Sequence, residues 1–192
     1  MPRELWRVFP WDERASPGET FSPSFIPSST GRGRFDLSRD RSSVLYLAES
    51  PDHAVGESLQ PWRGRRIGER HLTRAGLRLS LVAVSIDDDA AAALADLCDP
   101  KLLAETGLPP DHLASRRRWV TQPLATSLWD QGYPGLRWWS GFRGDWHTVV
   151  LFLARIGDRL AFGEPAPLAL GSPAVTEAAR LLGIDLEPEG ST

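Results

Sequence analysis

The chain has 192 residues, of which 41% are hydrophobic and 24% are charged, and its formal net charge is −3. This composition is ordinary for a globular protein, and the length suits one domain because single cores typically hold about 100–200 residues. The negative charge argues against direct nucleic-acid binding, and no apolar run approaches the roughly 20 residues that span a bilayer. Polar residues precede the first apolar stretch, so we expect no secretory signal, no membrane association and a cytoplasmic location.

Cysteine and histidine usage argues against a metal site. A single cysteine, Cys98, excludes an internal disulfide and a multi-cysteine cluster, and the histidines lie in different predicted elements without ligand-like spacing. Nearly all basic residues are arginine, with Lys101 as the one lysine. The position and neighbours of an arginine must therefore decide whether it has a functional role.

The N-terminal part predicts strands, loops and one capped helix. Ser50 followed by Pro51 is typical of a helix N-cap with proline in the first turn, and predicts a helix over 51–59 that carries Glu57 near its end. A long loop rich in serine, proline and glycine precedes it, and such loops are usually functional or mobile. The other expected elements are a strand over 5–9, the loop over 16–33, a strand over 43–48 and a loop over 61–70.

The remainder alternates strands and helices. Three aspartates at 87–89 can cap an alanine-rich helix over 90–97. A longer helix is expected over 118–131 despite Pro123, which would fall in its first turn if the helix starts late. The other expected elements are strands over 77–86, 136–139, 148–153 and 159–162, a helix over 175–182 stopped by Gly183, and an extended piece over 184–186. We expect one α+β domain over residues 1–187 and a disordered tail over 188–192, with no internal repeat.

Five polar side chains stand in short motifs and offer complementary chemistry. Arginine suits a diphosphate because its planar guanidinium can bond two oxygens at once. A tyrosine can stack on a ring while its hydroxyl makes a hydrogen bond, and a carboxylate can stabilise a cationic sugar. A serine hydroxyl can hold an amide or a ribose. The five residues are Arg7, Arg34, Tyr46, Glu57 and Ser140.

The segments that carry these residues resemble the RES domain family. The family's opening aromatic-Arg-aliphatic motif is matched by Trp6-Arg7-Val8, and its Gly-Gly-Arg-Trp-Asn-like motif by Arg32-Gly33-Arg34-Phe35-Asp36. Phe35 and Asp36 depart from the usual tryptophan and asparagine. The other matches are Tyr46-Leu47-Ala48, Glu57, Ser140 and the strand Val149 to Phe152, so that the resemblance covers residues 5–152.

The resemblance implies a fold, an activity and a partner. It implies an ADP-ribosyltransferase-like mixed sheet surrounded by helices, and consumption of NAD+ as a substrate. It implies catalytic roles for Arg34, Tyr46, Glu57 and Ser140, and NAD+ binding by Arg7, Arg34, Tyr46 and Ser140. Several members act as toxins of toxin–antitoxin pairs, so the expected partner is an antitoxin with a helix-turn-helix domain.

The expected function is cleavage of the nicotinamide–ribose bond of NAD+, by phosphorolysis or hydrolysis. Inorganic phosphate is the favoured co-substrate because the resemblance implies phosphorolysis for some members, and we find no separate general base for water. A protein ADP-ribosyltransferase is an alternative, although such enzymes often carry a second glutamate where this chain has Val55. A non-catalytic antitoxin-binding protein is another. The sequence does not choose among the acceptors.

Overall fold

The computed structural model describes residues 3–107, 110, 113, 115 and 117–188, and within them it has an α+β structure with a mixed sheet. The predicted fold class is confirmed. The tail expected over 188–192 lies outside the described residues from 189 onward. The helices are α1 (Pro51–Leu59), α2 (Asp88–Ala92), α3 (Pro100–Glu105), α4 (Arg118–Asp130), α5 (Leu153–Ile156) and α6 (Pro173–Leu182). The strands are β1 (Arg3–Pro10), β2 (Val44–Ala48), β3 (Arg66–Ile67), β4 (Thr73–Arg74), β5 (Leu77–Ile86), β6 (Ala95–Asp96), β7 (Gly135–Trp139), β8 (His147–Phe152), β9 (Leu160–Phe162), β10 (Ala166–Pro167) and β11 (Asp185–Leu186).

The contacts divide the chain into two compact units, each made of separated segments. The first unit consists mainly of Ile26–Leu47 and Ser85–Ala161. The second consists of Glu4–Phe25, Ala48–Val84 and the chain from Phe162 onward. The predicted boundary at residue 187 stays a prediction. No helix in the described part of the chain is long and apolar enough to cross a membrane.

The first unit contains the strand order β2-β8-β7-β6. Strand β8 is antiparallel to β7, with Trp138 opposite Thr148, and β6 is parallel to β7. The apolar faces of these strands and of α4 form one buried core. The loop that carries Arg34 precedes β2 in the chain and belongs to the same unit.

The prediction of a helix over 90–97 is right at the start of the segment and wrong for the rest. Helix α2 starts as expected, with the Asp87 carboxylate accepting from the amide of Ala90 at 2.7 Å, but it ends at Ala92. Ala95 then pairs with Leu136 of β7, and the amide of Leu97 donates to Arg137 O at 3.0 Å. Burial of Ala95 and these ladder bonds outweigh the helix propensity of alanine.

Helix α4 begins earlier than its proline suggests. It starts at Arg118, so Pro123 falls in the second turn rather than the first, where it removes one helical hydrogen bond. The helix predicted over 118–131 is confirmed to within one residue, and it does not start late. The helix is stabilised instead by a stripe at i, i+3, i+4 and i+7 spacing that faces the core. That stripe consists of Thr121, Leu124, Ala125 and Leu128.

The second unit holds the helix and the long strand that the sequence predicts best. Helix α1 has the predicted bounds, and its N-cap Ser50 accepts from the amide of His53 at 3.3 Å. It packs against α6, which ends as expected at Gly183, a left-handed residue with φ of 64°. Strand β5 also has the predicted bounds and lies between β10 and β1. Trp6 of β1 lies opposite Ala48, two residues before the N-cap of α1.

Candidate active site

In the first unit, the loop that carries Arg34 folds around the hydroxyl of Tyr46. The Tyr46 hydroxyl donates to Asp36 Oδ1 at 3.0 Å and accepts from the Phe35 amide at 3.0 Å. The second carboxylate oxygen of Asp36 accepts from the Gly33 amide at 3.0 Å. Because both partners of the carboxylate are donors, an aspartate satisfies them through two oxygens where an asparagine offers only one. The departure at position 36 thus has a structural role.

The electrostatics of this network keep Tyr46 protonated. Burial, followed by the neighbouring charge of Asp36, raises the pKa of Tyr46 above its ordinary value. The phenol is therefore a hydrogen-bond donor at neutral pH. Since the hydroxyl both donates to Asp36 and accepts from Phe35, Tyr46 would meet a ligand chiefly through its ring.

Gly33 has no space for a side chain. A Cβ at this position would lie 2.2 Å from Asp36 Oδ1 and 2.4 Å from Tyr46 Oη. We expect Gly33→Ala to lower the free energy of unfolding by about 1–3 kcal/mol, measured by urea denaturation. Gly144→Ala is the matched control, because a Cβ there meets nothing within 4 Å. Equal stability of the two variants would contradict the crowding at Gly33.

The side chain of Arg34 reaches the turn that begins with Ser140. One Arg34 amino group donates to the carbonyl of Leu113, and the guanidinium carbon lies 5.2 Å from the centroid of the Phe35 ring. Its Nη1 lies 3.7 Å from the place that a Cβ on Gly141 would occupy. Arg34 is therefore adjacent to the residue that follows Ser140.

Ser140 is buried and fixed at the end of β7. Its amide donates to Trp146 O at 2.7 Å, and its hydroxyl accepts from the Phe142 amide at 3.3 Å. The same turn is closed by two hydrogen bonds from Arg143 to Asp145, both at 2.9 Å. The structure thus brings three predicted site residues, Arg34, Tyr46 and Ser140, into one part of the first unit.

In the second unit, Glu57 is held by a histidine one turn earlier on helix α1. The Nε2 atom of His53 lies 3.2 Å from Glu57 Oε1. His53 is 1% exposed, whereas the Glu57 side chain is 39% exposed. Buried His53 therefore restrains the Glu57 side chain, which is partly exposed to solvent.

Arg7 of β1 also lies in the second unit, where it holds the start of the long loop. Its Nη1 donates to Pro23 O at 3.3 Å and to Phe25 O at 3.2 Å, and its guanidinium carbon lies 5.0 Å from the Phe9 ring centroid. Burial lowers the pKa of Arg7 to about 10. The guanidinium remains protonated at neutral pH, so it can attract an anion.

All five residues fall within the range, residues 4–168, over which the sequence matches the RES domain family. The chain belongs to the RES domain family. No functionally curated protein matches the sequence significantly.

A solved structure shares the fold of this RES domain. The crystal structure of the M. tuberculosis MbcT–MbcA toxin–antitoxin complex contains a chain that aligns with a TM-score of 0.59 and 16% sequence identity. The alignment covers 95% of this chain and 90% of that one. At such low identity the likeness establishes the fold, while function must be argued from the site.

Two cavities of about 480 Å³ each are formed by residues other than the five predicted site residues. One, in the second unit, is mostly apolar and lies where the first turns of α1 and α6 meet β5 and β10. The other, in the first unit, lies between α3 and α4. None of the five residues lines either cavity. Within the described residues, no group of three or more histidine, cysteine or acidic side chains could hold a metal ion.

Sequence reasoning missed the residues that support the site. His53 could have been found, since it lies four residues before Glu57 on a predicted helix. Thr121 and Gln122 of α4 carried no such signal. They contact the Arg34 loop from 87 to 91 residues further along the chain, a distance over which local patterns predict nothing.

Proposed function

We propose that this RES domain protein cleaves NAD+ and releases nicotinamide. The observation that carries the proposal is the Glu57 carboxylate, supported by buried His53 and open to solvent. Breaking the bond between nicotinamide and ribose develops positive charge on the sugar, as in glycoside cleavage. A fixed carboxylate stabilises that charge, either directly or through a ribose hydroxyl, without having to reorganise during the reaction.

The arginines supply the complementary attraction for the diphosphate. Arg34 is the proposed principal clamp, because its loop is fixed by hydrogen bonds and its guanidinium lies beside the turn after Ser140. A guanidinium can make two parallel, charge-assisted hydrogen bonds to phosphate oxygens. Arg7 is the proposed second contact. Ser140 and the Tyr46 ring are proposed to hold the nicotinamide or its ribose.

Inorganic phosphate is the proposed acceptor. One of its oxygens forms the new bond to the ribose carbon while the bond to nicotinamide breaks, and nicotinamide departs with the bonding electron pair as a neutral molecule. The products are nicotinamide and ADP-ribose phosphorylated at that carbon. Because phosphate already carries negative charge, no general base is needed, whereas water would have to lose a proton.

Protein ADP-ribosylation finds less support at this site. The position two residues before Glu57, where such transferases often carry a second glutamate, is occupied by Val55. Val55 is fully buried in α1. That position therefore faces the protein interior and offers no carboxylate to an acceptor side chain.

The proposed biological role is that of a toxin held inactive by an antitoxin. The family assignment supports it, and so does the shared fold with a chain of a toxin–antitoxin complex. The proposed antitoxin carries a helix-turn-helix domain, and the toxin acts on NAD+ in the cytoplasm. This protein itself carries no net positive charge for binding nucleic acid.

The purified protein should release nicotinamide from NAD+ in a phosphate-dependent manner. Mass spectrometry with and without inorganic phosphate would identify a phosphorylated ADP-ribose in the first case only. Phosphate-independent release of free ADP-ribose would indicate hydrolysis, and ADP-ribose attached to protein would indicate transfer. Absence of both NAD+ binding and nicotinamide release would contradict the proposal and favour a non-catalytic antitoxin-binding protein.

A further inference from the structure

We propose that Thr121 and Gln122 of helix α4 are positioning residues that fix the backbone on both sides of Arg34. They would act through Arg34, by aiming its guanidinium at the phosphates of the bound dinucleotide. The inference rests on the proposed NAD+-binding role of Arg34. The residues that carry it all belong to the first unit.

Helix α4 holds three carbonyl groups of the Arg34 loop. The side-chain amide of Gln122 donates to Gly31 O at 3.0 Å and to Gly33 O at 2.9 Å. The hydroxyl of the fully buried Thr121 donates to the carbonyl of Arg34 itself. Both residues lie in the first two turns of α4, so one rigid element supports the loop.

These bonds complement those made by Asp36 and Tyr46. The peptide group before Arg34 is held through Gly33 O by Gln122. The peptide group after Arg34 is held through its oxygen by Thr121 and through its N–H, that of Phe35, by the Tyr46 hydroxyl. With both flanking peptide planes bonded, the two backbone dihedral angles of Arg34 are fixed.

The α4 bonds add to those made by Asp36 and Tyr46, and they hold the two glycines that precede Arg34. Gly31 has a positive φ of 72°, and glycine backbones explore many conformations unless they are bonded. A guanidinium binds a diphosphate well only when its direction is set before binding, since otherwise the ordering cost reduces affinity. Loss of the α4 bonds should therefore weaken substrate binding more than it slows the chemical step.

The test uses two variants and two matched controls. Thr121→Val keeps the side-chain shape and removes the donor, and Gln122→Glu keeps the shape and replaces the donating amide by a carboxylate. Thr121→Ser restores the hydroxyl. Gln131→Glu makes the same chemical change at the exposed C-cap of the same helix. We expect each test variant to raise KM for NAD+ about tenfold with kcat changed less than about threefold, and each control to leave both unchanged.

A double-mutant cycle separates positioning from a general structural effect. If Gln122 acts through Arg34, Gln122→Glu should raise KM further by less than about twofold in an Arg34→Ala background. A full tenfold effect in that background would overturn the inference. So would an unchanged KM in both test variants of an otherwise active enzyme.

A second readout does not depend on NAD+. Amide hydrogen exchange of residues 31–36 should accelerate about tenfold in Gln122→Glu, while exchange in β7 and β8 stays constant. If the wild-type protein neither binds nor cleaves NAD+, the proposed function fails. Accelerated exchange in Gln122→Glu would still show that α4 restrains the Arg34 loop. Unchanged exchange in both test variants would overturn the inference whatever the substrate.

Discussion

Replacing Glu57 with glutamine should lower kcat for nicotinamide release about a thousandfold and change KM for NAD+ less than about threefold. A carboxylate about 4 Å from the developing sugar cation gains on the order of 4 kcal/mol at an effective dielectric constant near 20. Because the ground-state ribose is less cationic than the transition state, most of that gain appears in kcat. Glutamine keeps the side-chain shape, and its oxygen can still accept from His53 Nε2.

The matched control is Glu105→Gln, which makes the same change at an exposed position of α3 and should retain the full rate. Chromatography of released nicotinamide measures both variants. In bacteria, expression of the wild-type chain should arrest growth and Glu57→Gln should relieve the arrest at equal protein level. An in vitro rate above one-tenth of wild type, or arrest that persists with Glu57→Gln, would contradict a catalytic role for Glu57.

The parts of the fold that the sequence predicts well are those with local physical causes. Helix α1 has the predicted bounds because a serine N-cap and a proline in the first turn specify its start. Strand β5 is long enough for its composition to indicate a strand. Two-residue strands such as β3 and β10 contain too few residues for any periodicity.

The places where the structure departs from local preference have long-range causes. The alanine-rich segment after Asp89 has helix propensity throughout, yet Ala95 joins β7 because a strand 40 residues later offers hydrogen bonds and a buried site. Helix α4 includes Pro123 because packing of Leu124 and Leu128 in the core compensates for one missing bond. In both cases tertiary contacts override local preference.

The candidate site likewise contains residues that local motifs indicate and residues that only the tertiary structure reveals. The five candidate residues stand in short motifs whose order resembles the family, and the match over residues 4–168 confirms that family, while their roles stay predictions. The motifs do not contain the residues that hold these side chains in place. Thr121 and Gln122 come from a distant helix, and the fit of Asp36 to two donors depends on where Tyr46 places its hydroxyl.

Replacing Arg34 with alanine should weaken NAD+ binding about a hundredfold. Hydrogen bonds to charged groups contribute about 1.5–3 kcal/mol each, so loss of a bidentate contact to the diphosphate removes at least the 2.7 kcal/mol that corresponds to about a hundredfold in affinity. Isothermal titration calorimetry in a Glu57→Gln background measures Kd without turnover. Arg34→Lys keeps the charge and loses the planar fork, so its Kd should fall between those of the other two proteins.

The control for Arg34 is Arg32→Ala, which removes an exposed arginine two residues earlier in the same loop. Both alanine variants lower the net positive charge of the loop equally, so a general electrostatic attraction would weaken binding equally in both. A specific clamp predicts that Arg32→Ala stays within about twofold of the parent. Since Arg34 also donates to the carbonyl of Leu113, thermal unfolding must show that Arg34→Ala remains folded at the assay temperature. Equal Kd values for the two folded variants would assign the diphosphate to another residue, with Arg7 the next to be replaced.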